Sequence, residues 1–151
     1  MAMQTKKIIF VHPAIRPYRA EFFEQLSANL DIEFIFVEDY EDNISQMSQG
    51  IKLKSWKAYK STNFLNLYKK GFTWRLIKDA LFKNYDIWVS SGLLHISTHL
   101  AILLVLLRGK KFYIFSEDWL FSERLKHALF KPIAKFVARA STGIICASEH
   151  S

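Results

Sequence analysis

The sequence predicts a three-layer α/β/α domain built on a mainly parallel sheet. Three observations carry that reading. Short apolar strands alternate with helical stretches, each strand breaks off into a small polar cluster, and half of the 151 residues are hydrophobic, enough for one substantial core but not two. IIFV (8–11) runs into His12, Pro13 and Arg16; DIWV (86–89) into Ser90, Ser91 and Gly92; FYIF (112–115) into Ser116, Glu117 and Asp118; GIICA (143–147) into Ser148, Glu149 and His150. Parallel strands would put all four clusters on one edge, the carboxyl edge where open α/β sheets bind ligands.

Each element follows from a local pattern. After the first strand, Pro17 suits a first helical turn, and Phe22, Phe23 and Leu26 share one face at helical spacing. DIEFIFVE (31–38) is a second strand with an acidic, turn-prone exit. Residues 51–59 alternate apolar and basic side chains, the period-2 mark of a half-exposed strand. A helix is expected over 72–83, a strand over 86–89, a helix over 93–107, a strand over 112–115, a long helix over 120–140 and a last strand over 143–147. Strands alternating with helices of this length imply βαβ units with right-handed crossovers and helices on both faces, a Rossmann-like domain spanning 1–151 without a linker or repeat.

Composition narrows the class. The lone cysteine, Cys146, excludes a disulfide framework and is expected as a small buried hydrophobe of the last strand, in a reducing compartment. Lys6 and Lys7 precede an apolar run only one strand long, which does not suit a signal peptide, so a cytoplasmic location is expected. The longest apolar run, 100–107, falls short of the ~20 residues of a bilayer span and reads as a buried helix. Residues 1–50 hold four basic and eight acidic side chains, whereas 51–151 hold seventeen basic and six acidic, a swing from −4 to +11. Such asymmetry suits an anionic partner for the second part, whether a membrane surface, a phosphorylated substrate or nucleic acid; the bland alternative is a solvated basic face.

Absent motifs exclude familiar chemistries. The five glycines form neither a G-x-G-x-x-G nor a Walker A pattern, so no dinucleotide or nucleoside triphosphate in the usual phosphate cradle is expected. No Cys/His spacing suits zinc and no G-x-S-x-G elbow presents a serine, so no metal is expected. His95 and His99 stand four apart without a third ligand in sequence, and read as polar positions of a helix near the rim. Nucleic acid is not expected, because no recognition motif accompanies the charge.

The rim residues are the candidate site. His12, with Arg16 and Arg19 nearby, could hold a phosphate or a sugar hydroxyl, or could cap a loop stiffened by two prolines. Ser90, Ser91 and Gly92 end the central strand on the same edge. Glu117 and Asp118, beside Trp119, suit carbohydrate recognition or deprotonation of an alcohol; Ser116 or Asp118 could equally cap the following helix. On that helix Arg124, His127, Lys131, Lys135 and Arg139 recur every three or four residues as one basic stripe, leaving Leu125, Leu129, Phe136 and Ala140 to pack on the sheet. The stripe suits an anionic membrane surface or ordinary solvation, and Pro132 is placed to bend the helix.

Taken together, these segments resemble the N-terminal domain of GT-B glycosyltransferases, especially the retaining family 4 enzymes that include mannosyl- and glucosyltransferases of glycolipid and polysaccharide assembly. KKIIFVHPAIRPYRAEFFEQL resembles the opening strand, loop and helix, YDIWVSSG the central strand, KKFYIFSEDW the next, and VARASTGIICASEHS the last helix and strand before the domain crossover. The resemblance implies an acceptor-binding half whose partner is a C-terminal domain, or a separate catalytic chain, that holds a UDP- or GDP-sugar donor. This half would hold no cofactor of its own. It implies a lipid-linked or saccharide acceptor, and association with the inner face of the membrane. The loop carrying His12, Arg16 and Arg19 would approach the donor diphosphate, although it lacks the glycines of many relatives. Where many relatives have an active-site histidine, Ser116, Glu117 and Asp118 stand here, so Glu117 or Asp118 is the substitute candidate for catalysis. Two rivals are a membrane-docking subunit that recruits a separate catalytic chain, and a stand-alone flavodoxin-like or receiver-like binding domain.

Overall fold

The computed structural model of the chain describes residues 5–13, 19–38, 51–60, 72–91, 96–116 and 131–146. Its elements are β1 (Ile8–His12), α1 (Ala20–Asn29), β2 (Ile32–Glu38), β3 (Trp56–Lys60), α2 (Trp74–Phe82), β4 (Ile87–Ser91), α3 (Ile96–Leu107), β5 (Lys111–Ser116), α4 (Lys131–Ala140) and β6 (Gly143–Cys146). Six strands form one sheet in the order β3-β2-β1-β4-β5-β6, every neighbouring pair parallel. The order runs outward from β1 in one direction and from β4 in the other, so the chain reverses its course between them. That reversal is the topological switch point of a Rossmann-like sheet.

Both faces are apolar because the middle positions of the central strands are hydrophobic on both sides, as a sheet buried on two faces requires. One face carries Ile9, Val11, Ile35, Val37, Trp88, Phe112 and Ile114 against Leu76 and Ala80 of α2, Ala101, Ile102 and Val105 of α3, and Val137 of α4. The other face carries Phe10, Phe34, Phe36, Val89 and Phe115 against Phe23 of α1. Here the core is aromatic: Phe23 meets Phe10 and Phe34 edge-on at 5.8 and 5.3 Å between centroids.

Helix ends are closed by identifiable groups. Gly109 follows α3 with φ +65°, its N–H donating to the Leu106 carbonyl, while the Lys110 N–H donates to the Val105 carbonyl. This is a Schellman closure, which places a residue in the left-handed region. At the end of α2, Arg108 Nη1 donates to the carbonyls of Ala80 and Lys83 at 2.7 and 3.1 Å, and the Tyr85 hydroxyl donates to Ala80 as well. The Arg108 guanidinium also lies 5.0 Å from the Tyr85 ring centroid.

Several expectations are corrected. The strand expected over 51–59 begins only at Trp56, because the preceding amides bond to α1 instead of a ladder: Lys52 N–H donates to Glu24 Oε1 and Lys54 N–H to Ser27 Oγ. Ile51 and Leu53 still pack on the aromatic core. Cys146 is exposed, not buried, because β6 is an edge strand. Phe136, expected to face the sheet, is 55% exposed, and Val137 packs inward in its place. The buried stripe of α3 is Ala101, Ile102 and Val105, whereas Leu100 and Leu107 reach solvent. Residues 120–130 of the expected long helix, including Arg124, His127, Leu125 and Leu129, and the first-turn Pro17 lie outside the described residues. Among the described residues no helix is long and apolar enough to cross a membrane.

Candidate functional site

The switch point brings the ends of β1 and β4 together. Val11 and Ser90 are partners in the ladder, and both strands end one residue farther on, at His12 and Ser91. Alternation then sorts the side chains. His12 and Ser91 point to the α1 face, as Phe10 and Val89 do; Ser90 points to the α3 face, as Trp88 does. His12 is only 3% exposed, its ring 5.2 Å from that of Phe23 and 6.2 Å from that of Phe10. An aromatic wall therefore fixes the imidazole at the rim.

On the other side of the sheet, α3 begins at the same edge. Its first turns contain Ser97, Thr98 and His99, all buried. Ser90 and Ser97 are fully buried (0% exposed), and neither hydroxyl has a hydrogen-bond partner among the described residues. Thr73, which caps α2 with no side-chain bond to the helix, is a third buried hydroxyl of this kind. A buried polar atom without a partner costs about 1–3 kcal/mol. Keeping such groups beside the positive end of a helix dipole suits a ligand rich in hydroxyl or anionic oxygen.

Arg19 is the residue preceding α1, and its guanidinium carbon lies 5.9 Å from the Phe115 ring at the end of β5. Phe22 stacks on the same ring, with centroids 5.8 Å apart. His12, Ser91 and Arg19 thus belong to the α1 side of the rim and Ser90 to the α3 side. Arg16, Gly92, His95, Glu117, Asp118, Trp119 and Arg124 lie outside the described residues. Lys135 and Arg139 are exposed on α4. Lys131 is the first residue of that helix. The helix runs away from the rim, since Thr142, just past its end, donates its N–H to Phe112 near the start of β5. Arg139, in its last turn, is therefore at the opposite end of the helix from the rim.

Ser97, Thr98 and Thr73 were not singled out by the sequence pattern. Ser97 and Thr98 stand just before an apolar run and Thr73 just before a helix, and such hydroxyl residues read first as helix boundaries. A cavity of about 320 Å³ lies on the α1 face, but its lining is almost wholly apolar, including Phe22, Leu26, Leu30 and Ile145, with Tyr113 the one lining residue whose side chain carries a polar atom among the described residues. The rim is the chemical candidate.

Comparisons with known proteins place the architecture. No protein-family model matches the sequence, and no curated protein matches it. Among solved structures, a protein assigned as a UDP-N-acetylglucosamine 2-epimerase from Listeria monocytogenes superposes with a TM-score of 0.67 at 12% identity. The match covers 97% of this chain and 40% of that one, so the chain spans less than half the epimerase's length. A protein of unknown function from Vibrio parahaemolyticus matches with a TM-score of 0.53 at 11% identity, over 99% of this chain and 98% of that one. At these identities the likeness establishes architecture: the chain is a Rossmann-like α/β domain, similar to part of a GT-B-like structure.

Proposed function

We propose that the chain is the acceptor-side half of an enzyme that transfers a sugar from a nucleotide donor. The observation that carries this reading is the pair of strand ends at the switch point, where His12, Ser90 and Ser91 are buried at the ligand-binding edge and the Ser90 hydroxyl is unpartnered among the described residues. Hydroxyls, an imidazole and the Arg19 guanidinium are groups that bind sugar hydroxyls and phosphates. A second α/β half, as a further domain or a separate chain, would hold the UDP- or GDP-sugar. The likeness to part of a protein assigned as a sugar-nucleotide epimerase supports a half-domain of a sugar-related enzyme.

In the reaction the acceptor oxygen forms a bond to the anomeric carbon, the bond from that carbon to the donor diphosphate breaks, and the acceptor proton passes to a base. Glu117 or Asp118, next along the chain after β5, is the base in this proposal. Closure of the two halves would exclude water during the step. The acceptor is a saccharide or a lipid-linked saccharide, the latter placing the enzyme at the inner face of a membrane.

Saturation-transfer NMR of the chain with a panel of mono- and disaccharides and isoprenoid phosphates tests the reading. Binding that disappears in His12→Ala and Ser91→Ala is the expected result. A chain that binds none of them is not an acceptor half; a docking subunit or a stand-alone domain would then be the better description.

A further inference from the structure

After its first turn α3 is apolar on every side, LAILLVLL over 100–107, yet it is not buried on every side. Right-handed crossovers from β3, β4 and β5 lay α2, α3 and α4 side by side on one face of the sheet, with α3 in the middle and packed on both neighbours. Only one side of α3 can then face the sheet, and Ala101, Ile102 and Val105 take it. A helix that is apolar all round belongs in a core or in lipid. Leu100, Leu103 and Leu107 stand at helical spacing on the side away from the buried stripe, with Leu100 40% and Leu107 82% exposed.

The neighbouring helices set cations on both flanks of this leucine row. On α2 the inward residues are Leu76, Ile77 and Ala80, so Arg75, Lys78 and Phe82 turn outward, both cations exposed and Phe82 80% exposed. On α4, Lys135 and Arg139 are exposed two residues to either side of the inward Val137. Arg108 holds the ends of α2 and α3 together through the carbonyls of Ala80 and Lys83, so Phe82 and Leu107 protrude from adjoining helix ends. The three helices contain five basic side chains and one acidic, Asp79, which the Tyr59 hydroxyl and Lys83 engage. On the opposite face α1 contains two acidic side chains and no basic one. The charge asymmetry of the sequence is thus an asymmetry between the two helix layers.

We infer that the outer face of the α2–α3–α4 layer docks on an anionic lipid bilayer, with the leucine row and Phe82 entering the interface and Arg75, Lys78, Lys135 and Arg139 meeting lipid phosphates. Charge and shape select lipid. Cationic rows on both sides of an apolar one match a surface with anionic headgroups over an apolar interior. Side chains as exposed as Phe82 and Leu107 protrude from the protein, and a fluid bilayer accepts them without the complementary pocket that a protein partner would have to supply. Nucleic-acid phosphates would satisfy the cations but leave the leucines in water. A second copy of the chain would set basic rows against basic rows, which the like charges oppose. The inference does not depend on which ligand the rim binds.

The test is cosedimentation of the chain with vesicles of phosphatidylcholine, alone or mixed with phosphatidylglycerol. The expected result is binding to the mixed vesicles only, weakening as salt is added. Lys78→Glu/Lys135→Glu should weaken it about thirtyfold, and Leu107→Ser or Phe82→Ser at least about fivefold. Lys6→Glu/Lys52→Glu makes the same change of net charge at exposed positions outside this layer and should keep most of the binding. Every substituted position is exposed, so the native circular dichroism spectrum should survive; if a serine variant loses it, the two charge pairs decide the matter. The inference is overturned if the wild-type chain does not bind the mixed vesicles, if the native layer variants bind as the wild type does, or if Lys6→Glu/Lys52→Glu weakens binding as much as Lys78→Glu/Lys135→Glu. It is equally overturned if sedimentation without vesicles shows a dimer that Leu107→Ser dissociates, since the face then belongs to a second copy.

Discussion

Val11 and Ser90 are ladder partners across the reversal of the sheet, yet their side chains meet different surroundings: Val11 is inside a closed core, and the Ser90 hydroxyl is buried at the rim without a hydrogen-bond partner among the described residues. A hydroxyl kept in that state contributes nothing to folding. Ser90→Ala should therefore leave stability unchanged or raise it, because it removes the desolvation cost of an unsatisfied group. If the rim binds a sugar or phosphate, the same variant should lower that affinity about 2- to 13-fold, the loss of one ordinary hydrogen bond of ~0.5–1.5 kcal/mol. Urea unfolding and a ligand titration on the same sample measure both. A drop in stability with unchanged affinity would make Ser90 a packing residue.

Gly109 supports a second prediction. With φ at +65° and both Schellman hydrogen bonds in place, the position requires a left-handed backbone, although the space beside its Cα is open. Gly109→Ala therefore acts through the backbone alone and should cost about 1–2 kcal/mol. Gly109→Asn should cost less, since asparagine visits this region more readily. Chemical denaturation of the two variants separates them; equal losses would point to a contact and not to the dihedral angle.

Gly109 also marks how far the sequence can be read. The end of α3 is legible because an apolar run stops at Arg108 and Gly109, and the strand cores are legible because IIFV, FIF and FYIF have no polar interruption. The outward face of α4 is not: 133, 136, 137 and 140 are all apolar, so more than one face could turn inward, and packing against α3 selects Val137 over Phe136. Cys146 fails as a core residue for a related reason. A strand's composition does not say whether it has neighbours on both sides, and strand order is decided by the whole sheet. The rim was legible in His12, Ser90 and Ser91 because each ends an apolar strand. Ser97 and Thr73 were not, since their burial depends on which helices cover that edge.

Tyr59 predicts behaviour at alkaline pH. Its hydroxyl donates to Asp79 Oδ2 at 2.5 Å across the β3–α2 interface. Burial, and then the Asp79 carboxylate, hold the phenol in its protonated form far above the ordinary value of 10. The unfolded chain ionises near 10 while the folded chain keeps its proton, so Tyr59 makes stability fall as pH rises beyond 10. Tyr59→Phe should flatten that alkaline limb. Denaturant midpoints measured on either side of pH 10 give the slope directly, and an unchanged slope would assign the alkaline loss to other groups.

Glu33 makes the opposite prediction, on the acid side. It lies on β2 between Lys57 of β3, whose Nζ is 3.0 Å from Oε1, and Lys83, whose Nζ meets Oε2. Burial by itself would raise this carboxyl, but hydrogen bonds and charge from Lys83 and Lys57 outweigh it and hold the group below its ordinary 4.5. A carboxyl with a lowered folded pKa contributes stability that is fully present above the unfolded value and disappears as pH falls through the folded one. The chain should therefore lose stability as pH drops below 4.5. Glu33→Gln should flatten that acid limb and lower stability at neutral pH, because Lys57 and Lys83 lose the charge they share, while Lys83 keeps Asp79 at 3.7 Å. Denaturant midpoints at neutral pH and at a series of values below 4.5 measure both effects. If wild type and variant run parallel through the acid range, the two lysines do not set the acid stability of the sheet, and the loss belongs to other carboxylates.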